Sequence, residues 1–268
     1  MLVSLLAAAS AVAQQSSQVP TYLGFDRNNY PGDDALPVLR KSFSFASYWL
    51  SFPPGSKKNN WTGKRALFEQ QGFGFLLLFQ GRTSAGVSNA RAAEQLGRHD
   101  AQEAAAAASR EKFPPGSVIF LDMEEGGRLP EPLHVYIRAW SEALASLHFH
   151  PGVYCSGEVV DEGGGVKIVT ADDIRAHVGS LALEYWVFND SCPPSPGCVE
   201  PKTLAPPSAS GISYASVWQF VRSPREKETA GNCKGYAKDE QCYAALDAAH
   251  NWNLDLNVAT RANPSAPR

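Results

Sequence analysis

The sequence lacks an excess of charge of either sign, and this excludes several classes of function. It holds 24 Lys and Arg residues against 27 Asp and Glu residues, which gives a formal net charge of -3 and a pI near 6.1. Without a basic excess, we expect no nucleic acid among its partners. No acidic block is present that would indicate a disordered tail. The 268 residues, 44% of them hydrophobic, are enough to bury a full core.

The motifs of several common enzyme classes are also missing. No Gly-x-Gly-x-x-Gly follows the first predicted strand, which argues against a dinucleotide cofactor. Ser156 lies in Cys-Ser-Gly and not in Gly-x-Ser-x-Gly, so a serine hydrolase is not expected. Apart from His148 and His150, the histidines show no paired spacing typical of metal ligands. These two precede a predicted strand, which is the wrong end of a barrel strand for chemistry.

Long apolar runs are absent except at the N-terminus. That run is short, ends in Ala11-Val12-Ala13, and so shows the small-x-small pattern of a cleavage site, although no positive residues precede it. It is too short to span a bilayer. We therefore predict that residues 1–13 are a signal peptide. The mature chain is then secreted to the periplasm or the extracellular space, without stable membrane insertion.

Cysteine is scarce, with five residues in the chain. Cys192 and Cys198 flank a Pro-rich turn, and Cys233 and Cys242 flank a polar loop, so each pair fits a disulfide of an exported protein. A zinc site is the alternative, but neither spacing is Cys-x-x-Cys. Cys155 lies in an apolar strand and is predicted to be a buried thiol.

The sequence does contain a series of apolar strands with helices between them. The strands alternate with helices through the first two thirds of the chain, which predicts a parallel sheet. Eight short strands in about 250 residues indicate an α/β fold, a (β/α)8 TIM-like barrel that is irregular in its last third. An open doubly wound sheet is the alternative. We assign residues 20–260 to the barrel domain and predict a disordered tail at 261–268. The predicted strands are 22–26, 43–50, 73–79, 118–125, 151–156, 183–188, 215–221 and 254–258.

The strand at 118–125 ends in three acids. Because side chains alternate along a strand, Asp122 and Glu124 are expected to share one face, and Glu125 the other. Residues two apart on a strand are separated by about 6.5 Å, which suits two acids that act on one small substrate. The alternative is that these acids merely cap a strand where it meets solvent.

Other strands also end in polar or aromatic side chains, and the strand ends of a barrel converge on one face. Paired carboxylates perform acid/base chemistry, aromatic rings offer flat surfaces to sugars, and amides bind hydroxyl groups. This combination favours glycoside hydrolysis over acyl or phosphoryl transfer. Trp186 and Trp218 would fit core packing equally well. The candidate residues are Asp26, Asp122, Glu124, Tyr154, Trp186, Asn189, Trp218, Gln219, Asp255 and Asn257.

Five motifs, in order, resemble the family-25 glycoside hydrolases of the lysozyme or muramidase type. They resemble still more closely the exported glycoside hydrolase-like family. The motifs cover residues 22–259 approximately, and their order makes the resemblance fairly specific. They are Gly24-Phe25-Asp26, Leu121-Asp122-Met123-Glu124, Pro151-Gly152-Val153-Tyr154, Trp218-Gln219-Phe220 and Asp255-Leu256-Asn257.

The resemblance implies a monomeric barrel that cleaves cell-wall glycan, such as peptidoglycan, without a metal or an organic cofactor. Glu124 would be the general acid, Asp122 would stabilise developing charge, and Asp26 would complete the catalytic set. We expect burial and the neighbouring Asp122 to keep Glu124 protonated. The residues implied to bind substrate are Tyr154, Trp186, Trp218, Gln219, Asp255 and Asn257.

Two other classes of function remain open at this point. The segment Ser47-Tyr48-Trp49-Leu50 departs from the muramidase pattern, which suits a glycan-binding or cell-wall-binding domain that lost turnover. A metal-dependent phosphodiesterase is the third hypothesis, with Asp26, Asp122 and Glu124 as oxygen ligands.

Overall fold

A computed structural model of the protein describes residues 20–190, 204–222 and 254–268. Strands and helices alternate along most of this part of the chain, as predicted. Short 3-10 helices lie at Asp33–Ala35, Ser84–Gly86 and Pro207–Ser210. The strands are β1 (Tyr22–Asp26), β2 (Phe45–Trp49), β3 (Gly74–Gln80), β4 (Val118–Asp122), β5 (His150–Ser156), β6 (Val159–Gly163), β7 (Val166–Val169), β8 (Glu184–Phe188), β9 (Ala215–Val221) and β10 (Asp255–Ala259). The α-helices are α1 (Leu36–Leu39), α2 (Arg65–Gln70), α3 (Ala90–Arg110), α4 (Glu131–Ser146) and α5 (Thr170–His177).

Eight of these strands form a closed barrel in the order β1-β10-β9-β8-β5-β4-β3-β2. The predicted barrel is thereby confirmed, and the alternative of an open sheet is wrong. Seven of these strands run parallel to one another, whereas β10 is antiparallel to both of its neighbours, β1 and β9. The predicted irregularity of the last third therefore includes a reversed strand. Because β10 is reversed, its first residue lies level with the last residue of β1, and Asp255 pairs with Asp26.

Two glycines in the barrel strands make room for aromatic rings. A Cβ atom on Gly24 would lie 2.2 Å from the ring of Phe45, and one on Gly152 would lie 2.7 Å from the ring of Phe120. Both rings are fully buried. Any larger residue at either glycine would displace a core ring, because a packed interior has no spare volume.

The longest helices, α3 and α4, pack closely on the outside of the barrel. The buried face of α3 is made of small residues, and a Cβ atom on Gly97 would lie 2.5 Å from the carbonyl oxygen of Tyr136 on α4. Asn89 caps α3 by accepting a hydrogen bond from the backbone of Ala92. Asp100, also on α3, is buried and accepts a hydrogen bond of 2.9 Å from the Tyr136 hydroxyl.

The antiparallel hairpin of β6 and β7, between β5 and α5, was not predicted from the sequence. Most of its residues are exposed, so the strands lack the apolar core face on which the prediction relied. A glycine-rich turn connects the two strands, and Gly163, Gly164 and Gly165 all have positive φ values. This turn was the available signal, since such glycines between β-branched runs are typical of hairpins.

The C-terminal tail is packed against the barrel, so the disorder predicted for residues 261–268 is wrong. The backbone N–H of Phe75 donates to the Asn263 side-chain oxygen, and that of Leu77 donates to the Ser265 hydroxyl, both at 2.9 Å. These backbone N–H groups belong to the second and fourth residues of β3. The tail is ordered because it supplies acceptors for backbone donors that would otherwise be buried without partners.

Several predictions fall on residues outside the described part of the chain. These are the signal peptide at 1–13 and the two cysteine pairs, Cys192 with Cys198 and Cys233 with Cys242. The fifth cysteine, Cys155, is a free and buried thiol, as predicted, and burial raises its pKa. Among the residues described, no helix is both long and apolar enough to cross a membrane.

Candidate active site

Three aspartates gather at the carboxyl end of the barrel. Asp26 ends β1, Asp122 ends β4, and Asp255 begins the reversed strand β10. Their exposed fractions are 8%, 6% and 4% respectively. Carboxylates are rarely buried to this extent unless a function or a set of partners requires it. The barrel rim predicted from the strand ends thus exists, and these three acids lie on it.

A chain of hydrogen bonds holds Asp26 in one orientation. One of its carboxylate oxygens accepts a hydrogen bond from the Gln219 amide at 2.8 Å and another from the Asn257 amide at 2.7 Å. Gln219 in turn accepts a bond of 2.8 Å from the Tyr154 hydroxyl. Asn257 accepts one of 2.9 Å from the indole N–H of Trp186. Each amide therefore uses both its donor and its acceptor, and neither can flip without loss of a bond.

Tyr154 lies at the same rim as the aspartates: it pairs with Asp122 across β4 and β5, and its hydroxyl is linked to Asp26 through Gln219. Its pKa is raised well above the ordinary value, first by burial and then by the negative charges of Asp26, Asp122 and Asp255. Arg222 opposes this shift only weakly, as the last of the causes. Tyr154 therefore remains a neutral phenol and a hydrogen-bond donor over the physiological pH range.

Glu124 does not take the buried position that we predicted for it. β4 ends at Asp122, and the backbone N–H of Met123 makes one more bond to the Tyr154 carbonyl before the chain leaves the sheet. The alternation of strand faces therefore stops, and the Glu124 side chain is exposed. Its neighbour Glu125 is half-buried, and its carboxylate accepts a hydrogen bond from the backbone of Ser84.

The two tryptophans do not offer their faces to a ligand. Trp186 is 1% exposed and packs edge-on against Phe120 inside the barrel, so it belongs to the core. Trp218 is next to Gln219 on β9 and therefore points to the opposite face. Its indole N–H donates to the carbonyl of Asn189 at 2.8 Å. The prediction that these two residues contact substrate is wrong for this structure, because both rings are covered by protein.

Gln219 and Asn257 are also too buried to touch a ligand directly, with exposed fractions of 1% and 0%. The structure brings both of them to the rim acids, since each donates a hydrogen bond to Asp26. They orient the carboxylate and do not line an open surface.

A groove beside Asp122 was not predicted from the sequence. It has a volume of about 460 Å³. Gly81 lines it, and the backbone N–H of Gly81 donates a hydrogen bond of 2.9 Å to the Asp122 carbonyl oxygen. Phe52 is 57% exposed, which is unusual for so large an apolar ring. The groove is lined by Ser51, Phe52, Phe79, Gln80, Gly81, Arg82, Thr83, Gly86 and Asp100.

An ion pair between Arg82 and Asp100 forms part of the wall of this groove. The Arg82 guanidinium binds the buried Asp100 carboxylate through two hydrogen bonds of 2.6 and 2.7 Å, which raise the arginine pKa. The sequence signal was weak, because the partners are 18 residues apart and lie on a loop and a helix.

A second arginine, Arg222, follows β9 at the same rim. It forms a double hydrogen bond with Asp190 and stacks over the ring of Phe188 at 4.7 Å. The available signal was its position directly after a strand end, the same rule that identified the acids.

The rim acids do not form a metal site among the described residues. In that part of the chain, His, Cys, Asp and Glu side chains approach one another at metal-ligand distances at His134, Asp173 and His177, on the outer helices. The ligand set proposed for a phosphodiesterase, Asp26 with Asp122 and Glu124, is not such a group. This geometry argues against the third hypothesis.

The fold and the rim together define a class. A closed α/β barrel with buried acids and an adjoining groove at the carboxyl ends of its strands has the architecture of a barrel enzyme. The family model described as the Rv2525c-like, glycoside hydrolase-like domain matches residues 54–189, which is half of the chain. The protein belongs to this glycoside hydrolase-like family, and the resemblance predicted from the motifs is confirmed.

Solved structures share the fold at low sequence identity. An uncharacterized protein of B. stearothermophilus is 18% identical, with a TM-score of 0.54 over 89% of this chain and 95% of that one. The Clostridium perfringens spore cortex lytic enzyme SleM is 11% identical, with a TM-score of 0.54 over 89% and 67%. A family 25 glycosyl hydrolase from Bacillus anthracis is 11% identical, with a TM-score of 0.49 over 89% and 88%. No curated protein matches the sequence.

Proposed function

We propose that the protein is an exported glycoside hydrolase that cleaves a β-linked cell-wall glycan, peptidoglycan or a similar polymer. The observation that carries the proposal is the group of buried rim acids, Asp26, Asp122 and Asp255, with Tyr154 beside them and an open groove next to the rim. Family membership supports it, and so does the activity on spore cortex that the name of SleM states. A groove of about 460 Å³ that combines an exposed ring, one side-chain amide and two hydroxyl groups suits a sugar chain.

In this proposal Glu124 donates the proton to the leaving oxygen. The side chain lies in solvent two residues beyond the end of β4, so a glycan bound across the rim would cover it. Exclusion of water by a bound ligand favours the neutral form of a carboxylic acid, which is the form that donates a proton. Asp122 stabilises the positive charge that develops on the sugar.

Asp26, Gln219, Asn257 and Tyr154 support the site from beneath its surface. The hydrogen bonds of Gln219 and Asn257 fix the Asp26 carboxylate, so its negative charge stays at one point of the rim. Tyr154 is a neutral donor that can turn from Gln219 to a sugar hydroxyl. A preorganised set of this kind stabilises a charged transition state without reorganising during the reaction.

The direct test is the variant Glu124→Gln, measured by release of reducing ends from purified wall glycan. We expect a loss of about 100-fold or more, which is the contribution typical of a general acid. Glu125→Gln is the matched control, because glutamine keeps the oxygen that accepts the Ser84 N–H. The assignment fails if Glu124→Gln releases reducing ends as fast as the unaltered protein.

A glycan-binding domain without turnover is the second candidate. It is favoured by one observation, the exposure of Glu124, which leaves the proposed acid outside the buried cluster. This candidate predicts that wall glycan sediments the protein and that no new reducing ends appear. Measurable turnover that depends on Glu124 would exclude it.

A further inference from the structure

A second group of chemically active side chains lies in the outer helical layer, apart from the rim acids. His134 lies in the first turns of α4, and Asp173 and His177 are one turn apart on α5. One ligand atom from each residue lies within 4.8 Å of the other two. Spacing of four residues on a helix places two side chains on the same face, so α5 presents both toward α4.

Asp173 is at the centre of the group. Its carboxylate contacts the Nε2 atom of His134 at 2.7 Å and the Nδ1 atom of His177 at 3.6 Å. It also accepts a hydrogen bond of 2.9 Å from the backbone N–H of Leu129. The side chains of Asp173 and His134 are 2% and 8% exposed, whereas that of His177 is 46% exposed. The group is thus buried on one side and open to solvent on the other.

The two imidazole rings are stacked, with centroids 3.7 Å apart and planes 5° from parallel. The Nδ1 atom of His177 lies 2.7 Å from the Asp173 carbonyl oxygen. A hydrogen bond there leaves the lone pair on Nε2, and such bonds commonly orient histidines that bind metals.

We propose that His134, Asp173 and His177 bind one divalent transition metal of the zinc type. Two imidazole nitrogens and one carboxylate oxygen are ligands that zinc prefers, whereas calcium and magnesium prefer oxygen alone. Coordination by both rings requires the half-exposed His177 side chain to turn. The solvent-facing position of His177 permits that movement and leaves a remaining ligand position to water.

The metal would join α5 to the loop that carries Glu124. This loop runs from β4 to α4, and α5 already holds it at two points. Asp173 accepts from Leu129, and the Thr170 hydroxyl donates to the Gly127 carbonyl at 3.0 Å. A metal on Asp173 therefore adds a further link between α4, α5 and the loop. Its role is structural, and it takes no part in bond cleavage.

The test is a calorimetric titration of the full chain with zinc chloride, after treatment with a chelator, which measures the stoichiometry and the Kd. We expect one zinc ion per chain and at least a 10-fold weaker affinity in His177→Ala, because a ligand is lost. At a zinc concentration 100 times Kd, the Tm should rise by about 5–10 °C in the unaltered protein. His99→Ala is the matched control, since His99 is an exposed histidine on α3.

Cobalt substitution separates this site from the four cysteines at positions 192, 198, 233 and 242. Nitrogen and oxygen ligands give a visible cobalt spectrum without an intense thiolate charge-transfer band. The proposal is overturned by a thiolate band that persists in His177→Ala, by equal zinc affinity in His177→Ala and the unaltered protein, or by no zinc binding up to about 100 μM.

Discussion

The two ends of the barrel satisfy their polar groups in different ways. At the amino end, the C-terminal tail supplies acceptors to backbone donors, and its Arg268 forms an ion pair with Glu184, so that each polar group meets a partner of matching kind. At the carboxyl end, three aspartates are buried, two amides bond to one of them, Asp26, and an open groove lies beside the rim. The first arrangement only stabilises the fold. The second concentrates negative charge where burial makes it costly, which is typical of functional sites.

Removal of the tail should produce the largest effect and should be purely structural. A chain that ends at Ala262 loses the acceptors of Phe75, Leu77 and Val118, since Val118 donates to the Ser265 carbonyl at 3.1 Å. Three lost hydrogen bonds and the exposure of packed surface should lower the free energy of unfolding by about 3–5 kcal/mol. Urea denaturation followed by circular dichroism measures this.

Ser265→Ala is the graded control for the truncation. It removes only the hydroxyl that Leu77 uses, so we expect a loss of about 1–2 kcal/mol. If the truncated chain unfolds at the same urea concentration as the full chain, the amino end does not depend on the tail and the contrast between the two ends disappears.

At the carboxyl end, Asp26→Ala should leave two buried amide donors without an acceptor. The donors are Gln219 and Asn257, and each unpaired group costs about 1–3 kcal/mol. Asp26→Asn is the matched variant, because it removes the same charge and keeps one acceptor oxygen. The difference between the variants therefore reports the hydrogen bonds and not the relief of repulsion. We expect Asp26→Ala to be less stable than Asp26→Asn by about 2–3 kcal/mol in urea denaturation.

Equal stability of the two variants would contradict this network. It would mean that Gln219 and Asn257 find other acceptors when the carboxylate is absent. The two bonds to Asp26 would then add little to the stability of the carboxyl end, and the two ends of the barrel would differ by charge only.

The sequence predicted the parts of the rim that depend on strand identity. Asp26, Asp122, Tyr154 and Gln219 were placed correctly because each lies at or near the end of a strongly apolar strand. Asp255 was placed correctly although β10 is reversed, since the first residue of an antiparallel strand reaches the same rim.

The errors concern features that tertiary contacts decide. The prediction that Glu124 is buried assumed that β4 continues to Glu125, but the strand ends at Asp122. The apolar run in the sequence does not show where the strand ends. Trp218 and Gln219 were both assigned to substrate binding, although neighbours on a strand point to opposite sides. The tail composition resembled that of a disordered segment, but its role depends on donors in β3 that are nearly 190 residues away.

A substitution in the groove should have a smaller effect than those above, and it should change glycan binding at the carboxyl end. Phe52→Ala removes an exposed ring that a sugar can stack against, which should weaken binding of soluble glycan fragments by about 5–10-fold. Calorimetry or fluorescence titration measures the Kd. Leu147→Ala is the matched control, because Leu147 is an exposed apolar residue at the end of α4, 39% exposed. If both variants bind equally well, the groove is not part of the glycan surface.

The smallest effect should come from the amino end and should depend on pH. His150 begins β5, and burial lowers its pKa; Glu184 opposes this shift, and Arg268 adds to it. The unfolded chain therefore takes up the proton first as the pH falls through about 6.5, so this contribution lowers stability in acid and is absent above that pH. Between pH 7.5 and pH 5, the free energy of unfolding measured by urea denaturation should fall less for His150→Gln than for the unaltered protein. His99→Gln, on exposed α3 surface, should decline like the unaltered protein. A parallel decline of all three would show that the pH sensitivity lies elsewhere, and the rim acids at the opposite end would become its source.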